Sequence, residues 1–156
     1  MTLTQHSPFP QISSELLDAV KAALPRLNGI TDAEARDPRA LGKWSAKQVI
    51  GHLVDSAANN HQRFVRAQET PELTLPGYAQ DHWVDCQRYN DRSWEDLVEL
   101  WQTYNRHLAH VISVMPDDRR RVMCRIGSNA PVTLGFVAAD YVSHLRHHLA
   151  QILSGT

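Results

Sequence analysis

Two histidines near the end of the chain are spaced so that they could bind one metal ion. His144 and His148 are four residues apart, in a segment whose apolar residues recur at helical intervals. Side chains with this spacing project from the same face of a helix, one turn from each other. Imidazole is the commonest protein ligand for transition metals. The pair therefore indicates a metal site, and a third ligand is expected because reactive zinc sites use three protein ligands and one open position.

His52 is the candidate for the third ligand. It belongs to a polar strip on an earlier predicted helix, whose members recur at intervals of three or four: His52, Ser56, Asn59 and Arg63. The strip adjoins the apolar face that begins at Val49, so it could face a neighbouring helix. It could equally face solvent, as polar residues of amphipathic helices commonly do. The histidine pair on another helix favours the metal site.

Four further histidines are predicted to lie outside the ligand set. His147 projects further round the last helix, toward its polar side, and is expected at the surface or beside a ligand. His61 falls on the apolar side of its helix and is expected to be packed or hydrogen-bonded in the core. His107 and His110 lie off the buried face of the third helix, so both are expected to be exposed.

The segments that must position these histidines show the periodicity of amphipathic helices. Apolar residues recur every three or four positions in four stretches, and no segment shows the sustained alternation that predicts a strand. The clearest start is at Ser45, which can form a capping box with Gln48. The predicted helices run from Ser13 or Ser14 to about Gly29, from Ser45 to about Arg66, from Ser93 to about Met115, and from about Thr133 to Leu153.

These elements predict one all-α domain. Four such helices are typical of a four-helix bundle, here with a long connection, residues 69–92, between the second and third helices. A short helical turn is expected in that connection near Asp81 to Asp85. The chain has 156 residues, 42% of them hydrophobic and 21% charged, so residues 1–156 are expected to form a single metal-binding domain.

Composition argues against several classes of partner. Sixteen basic and seventeen acidic residues leave a net charge of -1, and no basic run could neutralise a phosphate backbone, so no nucleic acid is expected. No apolar run approaches the roughly 20 residues of a membrane span, and no signal peptide is recognisable, so a cytoplasmic protein is expected. Cys86 and Cys124 are far apart in the sequence and are expected to be reduced thiols.

Two segments carry a resemblance to a known family. WSAKQVIGHLVDSAANNHQRF and TLGFVAADYVSHLRHHLAQIL resemble the DinB/YfiT-like superfamily, and the resemblance covers nearly the whole chain. It implies a four-helix bundle with one divalent metal ion, whose ligands fall on His52, His144 and His148. It also implies a homodimer and a metal that is zinc or nickel, with iron and manganese as alternatives.

The same resemblance implies two classes of reaction on a small-molecule substrate. Members of the superfamily include S-transferases that use low-molecular-weight thiols, a mycothiol-dependent isomerase and metal hydrolases. A metal-bound thiolate could attack an electrophilic molecule, whereas a metal-bound hydroxide could hydrolyse an ester or amide. Hydrolysis benefits from a carboxylate base, and no glutamate lies between His144 and His148, so the sequence favours thiol transfer.

A noncatalytic metal-binding or sensor module is the third hypothesis. Structural zinc sites are usually closed by four ligands and are rich in cysteine. Neither Cys86 nor Cys124 is spaced near the candidate ligands, which favours an open and reactive site.

Other polar residues are candidates for supporting roles. Arg63 and Asn59 could bind an anionic or polar group of the substrate, although Arg63 could instead form a salt bridge between helices. Asp55 and Asp140 could orient a ligand imidazole through its second nitrogen, or could be solvated. The connection from Tyr78 to Tyr89 could cover the pocket, or could serve packing or dimerisation.

Overall fold

Four helices of 20 or 21 residues make up most of the fold. The structure, a computed structural model, describes residues 3–4 and 6–154. Its long helices are α1 (Phe9–Asn28), α3 (Ala46–Arg66), α5 (Trp94–Val114) and α6 (Leu134–Leu153), and its short ones are α2 (Asp32–Arg36) and α4 (Gln80–Gln87). Helices α1 and α3 each pack on both α5 and α6. The predicted four-helix bundle is therefore confirmed, with α4 as the expected helical turn in its long connection.

Local capping explains where three of the long helices begin. The Ser45 hydroxyl accepts the backbone N–H of Gln48, and the Gln48 side chain accepts the backbone N–H of Ser45, which completes the predicted capping box. Ser93 caps α5 and Thr133 caps α6 by accepting backbone N–H groups of their own first turns. These contacts satisfy donors that the first turn of a helix leaves unpaired.

The predicted start of the first helix is wrong. Helix α1 begins at Phe9, after Pro8, rather than at Ser13 or Ser14. Pro10 lies in its first turn, where the fixed φ of proline suits a helix and its missing N–H is not needed. Ser13 is buried instead of capping, and its hydroxyl donates a 2.6 Å hydrogen bond to the backbone carbonyl of Ala109 on α5.

Three short strands form a small sheet that the sequence pattern did not predict. Strands β1 (Glu72–Leu75) and β2 (Met123–Ile126) pair in parallel, and β2 pairs with the antiparallel strand β3 (Val132–Thr133). Each strand is too short to show the alternation that marks a longer strand. The sheet joins the connection after α3 to the connection before α6, so both connections lie at the same end of the bundle.

Lys47 is a fully buried charge that joins α3 to two neighbouring segments. Its Nζ lies 2.8 Å from Oδ1 of Asp32 and donates a 2.6 Å hydrogen bond to the backbone carbonyl of Arg92. The same Asp32 oxygen accepts the backbone N–H of Trp94, whose indole N–H donates to the carbonyl of Leu27. The hydrogen bond from Lys47 lowers the pKa of Asp32. We call Lys47, Asp32 and these contacts the lysine cluster.

The core of the bundle is apolar and continuous. Trp101, Phe64 and Leu108 are among the largest side chains that are fully buried. Among the helices that the structure describes, none has both the length and the hydropathy required to cross a membrane.

Candidate metal centre

Three histidines from two helices converge inside the bundle. His52, from the first half of α3, is fully buried, whereas His144 and His148, from the second half of α6, are half-buried. The Nε2 atom of His144 lies 3.2 Å from Nε2 of His52 and 3.1 Å from Nε2 of His148. The convergence that the sequence predicted is therefore observed, and we call these residues the histidine cluster.

The spacing of the three nitrogens fits a single tetrahedral ion. Zinc bonds imidazole nitrogen at about 2.0–2.1 Å, so two ligand nitrogens of a tetrahedral site lie about 3.3 Å apart. The observed separations of 3.1 and 3.2 Å are close to that value. All three potential ligand atoms lie within 4.8 Å of one another. The histidine cluster can thus supply three ligands and leave a fourth position open.

The surroundings keep these imidazoles neutral. Burial, together with the neighbouring His148 and His144, lowers the pKa of His52 to about 3. Burial and the adjacent His148 and His147 lower the pKa of His144 to about 4, and burial also lowers the pKa of His148. A neutral imidazole retains the lone pair that a metal requires. At neutral pH the cluster is a set of ligands rather than a set of cations.

The second ring nitrogens have different partners. Nδ1 of His148 lies 2.8 Å from the side-chain oxygen of Gln151. Nδ1 of His52 is buried and has no hydrogen-bond partner among residues 3–4 and 6–154. The ring of Trp44 packs beside His52 with 5.1 Å between centroids. The orientation of His148 is therefore fixed by a hydrogen bond, whereas that of His52 is fixed by packing.

Asp55 is buried and does not hydrogen-bond to His52, so both expectations for it, a bond to a ligand imidazole and a solvated position, are wrong. Its Oδ1 accepts the Tyr89 hydroxyl at 2.6 Å and the Gln87 amide at 2.8 Å, and burial raises its pKa. The Tyr89 ring lies so close to α3 that a Cβ on Gly51 would come within 2.1 Å of it. Asp55 thus attaches the end of the long connection to α3, and glycine is required where the ring approaches the helix.

A cavity of about 440 Å³ lies beside the histidine cluster and is lined by His144. It lies between α3, α6 and the connection that contains Tyr78, so part of that connection forms its wall. Arg63 lines the cavity, whereas Asn59 is outside the lining and donates to the backbone carbonyl of Asp55. The side chains with polar groups on its wall are Ser56, Asn60, Arg63, Tyr78, Gln80, Asn129, Asp140, Tyr141 and His144.

Arg63 brings a half-buried positive charge to this cavity. Its guanidinium donates a 3.3 Å hydrogen bond to Oδ1 of Asn60, and burial lowers its pKa. Within the described part of the chain, none of the ion pairs includes Arg63, so the alternative of an interhelical salt bridge is not observed. An unpaired guanidinium on a cavity wall is suited to bind a carboxylate or phosphate group.

Asp140 lies on the wall of the same cavity, one helical turn before His144. Burial raises the pKa of its carboxyl group, and the charge of Arg63 acts in the opposite direction. Its side chain is exposed, which agrees with the solvated alternative, and no hydrogen bond joins it to a ligand imidazole within the described residues. Although no glutamate lies between His144 and His148, a carboxylate thus lines the same cavity as His144.

A comparison with protein families identifies the chain. A model of the DinB superfamily matches residues 15–152. The chain belongs to the DinB superfamily. The resemblance seen in the two sequence segments is thereby confirmed over nearly the whole chain.

Individual relatives of this DinB-superfamily protein are distant but similar over most of their length. A Geobacillus thermodenitrificans protein named "Putative metal-dependent hydrolase" is 27% identical over 141 residues, which cover 90% of this chain and 78% of that protein. YfiT of Bacillus subtilis, which carries the same designation, is 25% identical, with 95% of this chain and 88% of YfiT covered. The solved YfiT structure, described as having an unusual four-helix bundle topology, matches with a TM-score of 0.79 at 22% identity, over 94% of this chain and 82% of that chain.

A second cavity reaches the histidine cluster of this DinB-superfamily chain from another side. It has a volume of about 500 Å³ and is lined by His148, Gln151 and Trp44, with Lys43 among its charged residues. Gln80, at the start of α4, lines both cavities. The cluster therefore lies between two cavities that adjoin at the long connection.

The remaining histidines lie largely where the sequence placed them. His147 is exposed, and His107 and His110 are exposed on α5. His61 is half-buried and shares a 2.9 Å hydrogen bond with the Tyr104 hydroxyl. Each of these positions agrees with its expectation, although His61 is less deeply buried than a core residue.

Sequence reasoning missed several residues of the site. Gln151 could have been found, because it lies three residues after His148 and therefore on the same helical face. Asn60 lies one position beyond Asn59, outside the strip of His52, Ser56, Asn59 and Arg63, so the strip did not indicate it. Tyr78 begins the connection that the sequence suggested could cover the pocket, but it lies outside any helix, so no periodic signal singled out this residue.

Proposed function

We propose that this protein is a divalent-metal-dependent enzyme that acts on a small molecule carrying an anionic group. The observation that carries the proposal is the convergence of three neutral imidazoles beside a polar cavity. His52, His144 and His148 would hold the ion, and nitrogen ligands suit zinc or nickel, with iron or manganese as alternatives. A bound divalent ion supplies Lewis acidity, which promotes loss of a proton from water or a thiol and polarises a carbonyl oxygen.

Hydrolysis is the reaction that the arrangement of residues supports best. Asp140 offers a carboxylate oxygen in the cavity that His144 lines, and its raised pKa suits it to take a proton from water. Arg63 would bind the anionic group of the substrate. Tyr78, whose pKa is raised by burial, retains its proton and could donate a hydrogen bond to the substrate. The names of the relatives from Geobacillus and Bacillus support the same reaction.

Thiol transfer is the second candidate function, supported by the cavity beside His148. A transfer reaction needs places for two substrates, and two separate cavities reach the histidine cluster. The noncatalytic alternative is less well supported, because a closed structural site has no need of adjoining cavities.

The test is activity of the metal-loaded protein on two panels of substrates. One panel contains small anionic esters and amides without thiol, and the other pairs small thiols with an electrophilic dye. We expect turnover in the first panel, and turnover only when a thiol is present would favour the second candidate. No turnover in either panel at full metal occupancy would contradict the proposal of an enzyme.

Two substitutions test the roles of the cavity residues. Asp140→Asn should lower kcat by about 10²- to 10⁴-fold with metal content unchanged, as expected for loss of a general base. Asp18→Asn on the exposed surface of α1 is its control.

Arg63→Met should mainly raise KM for anionic substrates, whereas Arg66→Met, on the exposed side of the same helix, should not. Unchanged kinetics in both cavity variants would contradict these roles.

A further inference from the structure

A short chain of hydrogen bonds connects the surface of α6 to the histidine cluster. The side-chain oxygen of Gln151 lies 2.8 Å from Nδ1 of His148. The side-chain nitrogen of Gln151 lies 3.3 Å from Nε2 of His147. One amide group thus contacts two histidines, of which His148 belongs to the cluster and His147 is exposed.

The chemistry of the amide determines where the protons lie. An amide oxygen only accepts hydrogen bonds, so Nδ1 of His148 must carry the hydrogen. In a neutral imidazole the other nitrogen then has the free lone pair, and Nε2 of His148 is the atom that faces His144 at 3.1 Å. The amide nitrogen donates to Nε2 of His147, so that ring must carry its hydrogen on Nδ1.

The reverse orientation of the amide would have the opposite effect. If Gln151 turned its NH₂ group toward His148, Nδ1 would have to accept and Nε2 would carry the hydrogen. That tautomer presents N–H rather than a lone pair to the centre of the cluster. The hydrogen bond to His147 opposes this rotation when Nε2 of His147 carries no hydrogen, because the amide nitrogen then has an acceptor there that the amide oxygen could not use.

We propose that Gln151 is a positioning residue that holds His148 in the tautomer competent to bind a metal ion. The inference rests on the proposed metal site. It assigns to Gln151 the role that the sequence suggested for Asp55 and Asp140, which is to orient a ligand imidazole through its second nitrogen. Partners of this kind commonly change metal affinity by about 10- to 100-fold when removed. An uncharged amide serves here in place of the more usual carboxylate or backbone carbonyl.

The first test is the zinc affinity of purified variants, measured by competition with a chromophoric chelator. Gln151→Leu should bind zinc about 10- to 100-fold more weakly than the unmodified protein. Gln151→Glu keeps an acceptor at the same position and should bind at least as tightly. Gln62→Leu, an exposed glutamine on α3, is the matched control and should have no effect. Equal zinc affinity of Gln151→Leu and the unmodified protein would overturn the inference. Equal weakening of zinc binding in Gln151→Leu and Gln151→Glu would also overturn it.

The second test does not depend on metal binding. Imidazole nitrogen NMR of the metal-free protein at about pH 8, where unperturbed histidines are neutral, reports which ring nitrogen carries the hydrogen. His148 should have its hydrogen on Nδ1 in the unmodified protein and in Gln151→Glu, and a mixture of tautomers in Gln151→Leu. The same tautomer in all three would overturn the inference. Failure of the unmodified protein to bind any divalent ion would contradict the proposed function, while the tautomer measurement would still test Gln151.

Discussion

Helix α3 contributes to two buried polar clusters that differ in how well their atoms are paired. In the lysine cluster the buried Nζ of Lys47 contacts a carboxylate and a backbone carbonyl. In the histidine cluster, five residues further along, three imidazoles face one another and Nδ1 of His52 has no partner within the described residues. Burial of polar groups is unfavourable unless they are paired. The first cluster therefore stabilises the fold by itself, whereas the second is arranged for a ligand that the chain does not supply.

The comparison predicts that substitutions in the two clusters affect different properties. Changes to the lysine cluster should lower stability and leave metal binding intact. Changes to the histidine cluster should abolish metal binding. Replacements that keep most of the side-chain volume, such as His52→Leu, should leave the stability of the metal-free protein unchanged or increased, because they remove crowded and poorly paired groups without leaving a void.

The largest expected effect is the loss of metal from His52→Ala or His148→Ala. Four-ligand zinc sites bind with about 10–16 kcal/mol, so loss of one ligand should cost about 4 kcal/mol, or about 1000-fold in affinity. Elemental analysis of the purified variants is the measurement. His147→Ala is the control and should retain most of its metal. Equal metal content in all three variants would mean that His52 and His148 do not bind the metal, and that the histidine cluster has no special role in metal binding.

Lys47→Ala should lower the free energy of unfolding by about 3 kcal/mol, because it leaves a void and an unpaired carbonyl in the interior. Urea unfolding of the metal-free protein is the measurement. Lys47→Met retains most of the side-chain volume and should lose less. A Lys47→Ala variant that folds normally but loses metal would show that the two clusters are coupled rather than separate.

Stability of the metal-free protein should fall as the pH is lowered below about 6.5. The pKa values of His52 and His144 are about 3 and about 4 in the folded state, below the ordinary value of 6.5. The unfolded chain therefore binds protons that the folded chain does not, and the stability present above pH 6.5 is lost as the pH falls toward the folded-state values. Between pH 7.5 and 5.5 we expect a decrease on the order of 2 kcal/mol in urea unfolding.

A variant makes the pH prediction specific to the histidine cluster. His52→Leu removes the group with the lowest pKa, so its stability should depend less on pH over the same range. An identical pH dependence in His52→Leu and the unmodified protein would place the responsible groups elsewhere.

Asp55 is intermediate between the two clusters in how well its atoms are paired, and removing one of its hydrogen bonds should have the smallest effect. Its Oδ1 has two partners, whereas its buried Oδ2 has none among the described residues. Tyr89→Phe should reduce stability by about 1 kcal/mol, since it removes one of those hydrogen bonds. Tyr104→Phe, which removes the half-exposed contact with His61, should have less effect in thermal unfolding. A loss of metal in Tyr89→Phe would mean that Asp55 belongs with the histidine cluster.

The parts of the fold that the sequence predicted are those that depend on local spacing. The capping box at Ser45 and the cap at Ser93 are specified by residues three positions apart, and both are observed. The convergence of His144 with His52 followed from helical faces and the expectation that they pack together. Four-residue repeats and local caps are the features that one sequence can reveal without knowledge of the tertiary structure.

The features that were missed depend on contacts between distant parts of the chain. Strand β2 pairs with β1 across some fifty residues, and neither is long enough to be recognised by itself. Lys47, in the first turn of an amphipathic helix, resembles a surface residue, and only Asp32 and the Arg92 carbonyl explain its burial. Tyr78 and Asp140 belong to segments that the sequence singled out, but only the tertiary structure shows that both line the cavity of His144.

The position of Trp44 has a practical consequence. Its half-buried indole lies 5.1 Å from the ring of His52 and also lines the cavity beside His148. Trp94 and Trp101 are buried elsewhere in the core, and Trp83 is half-buried on α4. Indole fluorescence responds to neighbouring charge and is quenched by paramagnetic ions, so the contribution of Trp44 to the emission would report occupancy of the histidines. The protein thus contains its own optical probe for titrations, without a label or a known substrate.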